Sequence, residues 1–355
     1  MSTMLQPVSV EELAAAVRSA PRVIATGAGT KPRLSAVPAE VVRVSTARLS
    51  GIVEYEPSEF TFTALAGTPV REIRAALEER GQYLPFDPVL ADAGSTLGGA
   101  VAAGINGPGR WRYGGLRDFI LGVRFVDGEG RVLRLGGKVV KNAAGFDVPK
   151  LLVGSAGRLG VLAEITFKVF PRPSTWRTVR LPAADEAAKV RLLAELGRGR
   201  WELDAVESVV GEPCVCTRLG APEAAIDALA EEITTRFGGA ILGADEATAW
   251  WRDASEFRWM HPAGAWAKFP LTPSDGPAFT AWVLARPAAR ARIGAAGNVG
   301  YVSWPGAEAP AECPWRGVLL RGDGPLWPGP RRATAVAAAV KAALDPAGRF
   351  PGLED

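Results

Sequence analysis

The sequence predicts an α+β protein of two units, and three observations carry that prediction. Two glycine-rich segments, GAGTKP at residues 27–32 and STLGGAVAAG at 95–104, sit among strand-like and helix-like stretches in the first half. The linker Pro171-Arg172-Pro173 then resets the pattern. Beyond it the signals follow in the order β-α-β-β-α-β, which predicts a ferredoxin-like sheet with its helices on one face.

At the amino end, Ser9 followed by Glu12 forms a capping box that opens a short amphipathic helix in VSVEELAAAVRSA. RVIATG reads as a strand that runs straight into the first glycine loop, and VVRVS and FTFTALAG are further strands. In TPVREIRAALEERG the stripe Val70, Ile73 and Leu77 predicts a helix, with Thr68 placed to cap it and Pro69 at its first position. FILGVRFV and RVLRL make a hairpin across residues 127–130. KNAAGFD leads into VPKLLVGSAG, a short helix capped by Asp147, and the strand GVLAEITFKVF closes the first unit.

In the second unit RTVRL, ELDAVESVV, CVCTRL and GAIL are strand-like, and ADEAAKVRLLAEL and APEAAIDALAEEITTRF helical. The tryptophan-rich stretch from Trp250 to Trp315 shows no plain period, and its WWRD, at Trp250 and Trp251, is the candidate partner contact. RRATAVAAAVKAAL predicts a last helix closed by Asp345-Pro346. The expected boundaries are residues 1–173, 174–330, and a tail at 331–355 that returns to the first unit.

The 355 residues are 48% apolar and 22% charged, the composition of a folded globular protein. The formal charge of +3, from 41 basic and 38 acidic residues without a long run of one sign, argues against a nucleic-acid partner. The amino terminus lacks the basic and long apolar regions of a signal peptide and no apolar stretch is long enough to span, so a cytoplasmic location is expected. Three cysteines and one histidine, His261, supply neither a disulfide framework nor an ordinary zinc site, and no metal is expected.

GAGTKP is not a G-x-G-x-x-G fingerprint, because Pro32 stands where the third glycine belongs, nor is it a P-loop. It offers backbone N–H groups that converge on an anion, with Thr26, Thr30 and Lys31 as added donors; a plain tight turn explains it equally well. The second segment shifts the balance. Glycine costs about 1 kcal/mol against alanine inside a helix, so Gly98, Gly99 and Gly104 around one short helix imply a need for closeness. Ser95, Thr96, Gly98 and Gly99 are placed to present donors to a pyrophosphate, and Ala102, Ala103 and Gly104 let a flat ring lie against the backbone. Close helix-to-sheet packing is the competing explanation.

ATGAGTKPRLS, ALAGTPVREIRAAL, the long run from Ser95 to Pro173 and the terminal KAALDPAGRFPG together resemble the vanillyl-alcohol oxidase / p-cresol methylhydroxylase class of FAD proteins, in its glycolate oxidase branch. The likeness is dense over residues 1–173 and looser at the carboxyl end. It implies a PCMH-type FAD-binding domain of two α+β subdomains followed by a ferredoxin-like cap domain. His261 lies outside the motifs that meet the ring, so the FAD is expected to be non-covalent. By this resemblance Thr26, Gly27, Ala28, Gly29, Thr30 and Lys31 would wrap the pyrophosphate, and Ser95, Thr96, Gly98 and Gly99 would hold its other side. Gly114 and Asp118 would border the cofactor. Gly160, Val161 and Ile165 would contact its ribityl or adenine portion, and Lys141, Asn142, Gly145 and Asp147 would lie near the flavin. Phe146 stands where the class carries a tyrosine.

The likeness further implies oxidation of a small 2-hydroxy acid, glycolate to glyoxylate, inside a glycolate oxidase complex. The partners would be a homologous catalytic flavoprotein subunit and an iron–sulfur subunit, with membrane association only through the complex. Two alternatives remain open. One is a self-sufficient dehydrogenase with Arg110, Arg112 or Arg117 clamping a carboxylate and His261 as base; the other is a non-catalytic structural subunit.

Overall fold

The computed structural model describes residues 4–137, 147–330 and 334–354. Helix α1 (Val10–Arg18) begins where the capping pair predicts: Ser9 Oγ accepts the Glu12 N–H at 3.1 Å, and Glu12 Oε2 accepts the Val8 N–H at 2.9 Å. Its apolar residues Leu13 and Val17 pack with Val23 and Val44 of a small parallel sheet. That sheet contains β1 (Met4–Leu5), β2 (Val23–Thr26) and β3 (Val42–Ser45), with β3 in the centre.

Two further strands follow, β4 (Ile52–Glu56) and β5 (Thr61–Leu65), then α2 (Val70–Glu78) and the short β6 (Gln82–Tyr83). Thr68 does not cap α2. Its hydroxyl bonds the Leu65 carbonyl at 2.7 Å and accepts the Gly51 N–H at 2.9 Å, leaving Pro69 at the cap position without a side-chain acceptor. After α3 (Leu97–Ala103), α4 (Arg110–Tyr113) and α5 (Leu116–Phe119) comes the predicted hairpin of β7 (Ile120–Val126) and β8 (Val132–Gly136). Asp147 Oδ1 accepts the Lys150 N–H and caps α6 (Val148–Leu152). That helix stops at Leu152, so the following GSAG is a turn before β9 (Val161–Lys168) and the short β10 (Phe170–Pro171). The antiparallel order β4–β5–β9–β7–β8 buries Phe62, Phe125, Ile165 and Phe167 in one core.

Beyond the proline linker lie β11 (Thr175–Pro182), α7 (Glu186–Arg198), β12 (Ala205–Val209), β13 (Cys214–Ala221), α8 (Glu223–Phe237) and β14 (Ala240–Ile241). Their order β14–β11–β13–β12 is the ferredoxin-like arrangement that the sequence predicts. The tryptophan-rich stretch continues the same sheet. After α9 (Ala244–Glu256) come β15 (Trp266–Pro270), α10 (Gly276–Leu284), β16 (Arg290–Gly294), β17 (Val299–Ser303) and β18 (Val318–Arg321), and the sheet runs on from β12 through β16, β17 and β15 to β18. β15-α10-β16-β17 repeats the β-α-β-β pattern, and the two copies join edge to edge through β12 and β16. One face of this cap sheet, with Val206, Val215, Ile293, Val302 and Phe269, buries the main core together with Leu193, Ile226 and Phe279 of α7, α8 and α10.

Helix α11 (Ala335–Leu344) and the tail return to the first unit. The Val23 N–H donates to the Arg349 carbonyl at 2.8 Å, Lys341 Nζ donates to the Arg158 carbonyl at 2.8 Å, and Phe350 is buried beside Val23 and Val161.

Candidate cofactor site

Three loops line an open cleft. The first follows β2, where Thr26 is the last strand residue and its carbonyl accepts the Thr46 N–H at 2.9 Å. From residue 27 to 31 the backbone N–H groups have no protein acceptor among the described residues, and Gly29 takes φ +70°. A Cβ on Gly27 would lie 2.5 Å from Thr96 Oγ1, so this glycine lets the first loop touch the second. Lys31 is 6% exposed; its Nζ donates to Thr30 Oγ1 at 3.0 Å and Ser95 Oγ at 3.2 Å. Burial pulls its pKa down to about 8, against the opposing pull of Glu256.

The second loop opens α3. Thr96 caps it, Oγ1 accepting the Gly99 N–H at 3.2 Å, while the Gly98 N–H donates to the Ala66 carbonyl at 2.7 Å. Both N–H groups expected to face an anion are therefore spent inside the protein. The two glycines do different work. A Cβ on Gly98 would sit 2.8 Å from Ala66 Cβ, which is close helix-to-strand packing, whereas one on Gly99 would meet only Thr96 Oγ1 at 3.0 Å and opens on the cleft.

The third wall is the turn after α6. The Ala156 N–H donates to the Ala102 carbonyl at 2.8 Å, with φ +50° at Ala156 and +75° at Gly157. Arg158, 1% exposed, donates from Nη1 to the Leu34 carbonyl at 2.7 Å and ties this turn to the first loop.

Of the predicted residues, the cleft wall gathers Thr26, Gly27, Ala28, Gly29, Thr30, Lys31, Thr96, Gly98, Gly99, Gly160 and Val161. Ser95 lies behind it as an acceptor for Lys31. Ala103 faces the cap, packed in a cluster with Ile105, Trp266 and Tyr301. Gly114 and Asp118 form a turn of their own, Asp118 Oδ2 accepting the Gly115 N–H at 2.7 Å, and Ile165 points into the sheet core. Lys141, Asn142, Gly145 and Phe146 lie outside the described residues. Sequence reasoning missed Leu34, Ser35, Thr46, Ala66, Ser155, Ala156, Gly157 and Leu162. GSAG was the available signal, hidden by its apparent continuity with VPKLL.

Elsewhere His261 Nε2 bonds the Ala288 carbonyl at 2.7 Å within the cap, and Arg112 is paired with Glu202 at 2.7 Å. A wider cleft of about 1640 Å³ separates the two units. There Arg218 is ion-paired with Asp87 of the first unit and with Asp204 at 2.5 Å, between the rings of Trp176 at 4.7 Å and Trp251 at 5.1 Å. Trp251 is buried and donates from Nε1 to Thr178 Oγ1 at 2.8 Å, so this half of the WWRD pair packs within the chain and not against a partner. Two cap residues, the half-buried Lys268 and the buried Tyr301, also reach the first unit: Lys268 Nζ donates to the Gly104 carbonyl at 2.9 Å and the Tyr301 hydroxyl to the Asn106 carbonyl at 3.1 Å. Burial, with the charge of Arg110 adding, pulls Lys268 down to about 8, and burial pushes Tyr301 up. Among the described residues no group of three or more histidine, cysteine or carboxylate side chains is placed to hold a metal. No helix among them is long and apolar enough to cross a membrane.

A small parallel sheet and a five-stranded sheet that meet at a cleft of glycine loops, followed by a cap, make up an FAD-binding fold of the PCMH type. Residues 2–136 match the family described as FAD binding domain, and FAD is the cofactor. Over 130 residues the chain is 51% identical to the glycolate oxidase subunit GlcE of Escherichia coli (strain K12), a match covering 37% of either chain. It is 34% identical over 131 residues to the glycolate oxidase subunit GlcD of Bacillus subtilis (strain 168), covering 37% of this chain. The chain thus spans 37% of the length of GlcE and 28% of that of GlcD. The structure of an alkyldihydroxyacetonephosphate synthase superposes with a TM-score of 0.70 over 97% of this chain and 76% of that one; at 17% identity this likeness is one of fold. The residues of the cleft fit FAD: N–H groups without a protein acceptor and a buried ammonium would suit a diphosphate, and the missing Cβ at Gly99 leaves the wall open there.

Proposed function

We propose that this chain is the FAD-binding subunit of a glycolate oxidase, a 2-hydroxy-acid dehydrogenase that converts glycolate to glyoxylate and passes the electrons to partner subunits. The partners in this reading are a homologous catalytic flavoprotein subunit and an iron–sulfur subunit, and the complex works in the cytoplasm or at its membrane face. The observation that carries the proposal is the cleft in which the N–H groups of residues 27–31 have no protein acceptor among the described residues and lie beside the buried Lys31, within the segment that matches the FAD binding domain family.

In this reading the loop from Thr26 to Lys31 holds the diphosphate, with Lys31 as counter-ion and Ser95 keeping that ammonium in place. Thr96 and Gly99 border the diphosphate from the other side, and Gly160, Val161 and the turn at Ser155, Ala156 and Gly157 support the remainder. Residues 1–173 with 331–355 form the FAD domain and residues 174–330 the cap. Bound FAD supplies the acceptor for a hydride from the substrate carbon. The chain's own residues orient it and shield it from water. His261 bonds a cap carbonyl through Nε2, and in this reading a base on a partner takes the hydroxyl proton.

The test is spectroscopic. The purified chain should carry an oxidised-flavin spectrum and release its flavin on acid precipitation. Glycolate should bleach that flavin only in the assembled complex. A colourless protein that takes up no added FAD would overturn the reading, and bleaching of the isolated chain by glycolate would replace it with a self-sufficient dehydrogenase.

A further inference from the structure

We propose that Lys268 and Tyr301 are positioning residues of the cofactor site, which hold the backbone at residues 104–106 from the cap and so make FAD retention depend on the cap. The inference rests on the reading of the cleft as the FAD site. Lys268 and Tyr301 stand directly opposite each other on the neighbouring antiparallel strands β15 and β17, a pairing that sends both side chains to the same face of the sheet. From there Nζ reaches the Gly104 carbonyl at 2.9 Å and the hydroxyl reaches the Asn106 carbonyl at 3.1 Å.

Gly104 is a junction. It ends α3 in the left-handed conformation at φ +62°, and a Cβ on it would come within 2.9 Å of Gly154 Cα. The helix it ends carries Gly98 and Gly99, and the turn it touches carries Ser155 to Gly157, so two of the three cleft walls meet there. A cation on the last carbonyls of a helix also favours the helix dipole. Packing alone does not account for the choice of lysine. An ammonium withdrawn from water onto a neutral carbonyl costs stability, and an apolar side chain of similar length would fill the space without that cost. What the ammonium adds is a charge-assisted, directional bond to a residue at the junction of the two walls.

The experiment uses the full chain and reads FAD affinity by quenching of flavin fluorescence, the absorption bands of the bound flavin, and the melting temperature without FAD. Lys268→Met should weaken FAD binding about tenfold or more, the usual worth of a hydrogen bond to a charged group. It should melt without FAD no lower than the wild type, because a charge partly withdrawn from water is gone. Lys268→Gln, which keeps an N–H donor, should recover part of the affinity, and Tyr301→Phe should weaken binding about threefold through its neutral bond. Ile293→Val, in the core on the opposite face of the sheet, should lower the melting temperature and leave affinity and bands unchanged. Wild-type affinity and bands in both Lys268→Met and Tyr301→Phe would overturn the inference. A wild-type chain that binds no FAD would instead overturn the FAD reading, and this inference with it.

Discussion

Lys31 makes the cleft sensitive to pH. Its pKa of about 8 lies below the ordinary lysine value because burial disfavours the charge, and a bound diphosphate would favour the charge. Binding therefore takes up a proton above pH 8, so FAD affinity should fall as the pH rises from about 8 towards 10. Lys268, also at about 8, loses its charge over the same range, and Lys31→Met separates the two. That variant should bind FAD about tenfold or more weakly at pH 7 and show a flatter decline, as fluorescence titration at each pH would show. The place of this lysine in the cleft wall was legible from GAGTKP. The separate duties of Gly98 and Gly99 were not, because adjacent helical residues point about 100° apart and only the packing partner decides which one faces the cleft. Gly99→Leu should abolish FAD retention with little loss of stability, whereas Gly98→Val should cost about 1–3 kcal/mol through overpacking against Ala66. Retention of flavin and urea denaturation read the two effects separately.

At the level of elements, spacing and caps served well up to β14 and poorly in the tryptophan-rich stretch beyond it. The helices α1, α7 and α8 and the strands between β11 and β14 follow from amphipathic spacing and caps such as Ser9 and Asp185, each of which accepts an N–H three residues on. β17 reads VGYVS and is buried at every residue, so it carries no alternation to recognise. The same covering hid the second β-α-β-β copy in the tryptophan-rich stretch. Thr68 shows the opposite failure. It has the right type and position for a cap, yet the turn to Gly51 claims its hydroxyl first, a contact 17 residues away that no local rule contains.

In the whole molecule the first unit and the cap are strapped together by side chains far apart in sequence. Arg218 links Asp87 to Asp204, a carboxylate with no exposed side chain. Arg218→Leu strands that buried carboxylate and should destabilise the protein by about 3–5 kcal/mol in urea unfolding; a loss within error would show that the strap adds nothing. The cap was legible as a separate unit because of the proline linker, whereas its grip on Gly104 and Asn106 was not, since it joins residues more than 160 positions apart. The returning tail sets a schedule for the protein's making. Lys341 holds the carbonyl of Arg158, Arg349 completes the edge of β2, and Phe350 closes the core beneath it, so the walls of the cleft are finished by residues made after the cap. A nascent chain halted in the cap has the glycine loops already made and still lacks these three contacts that brace them.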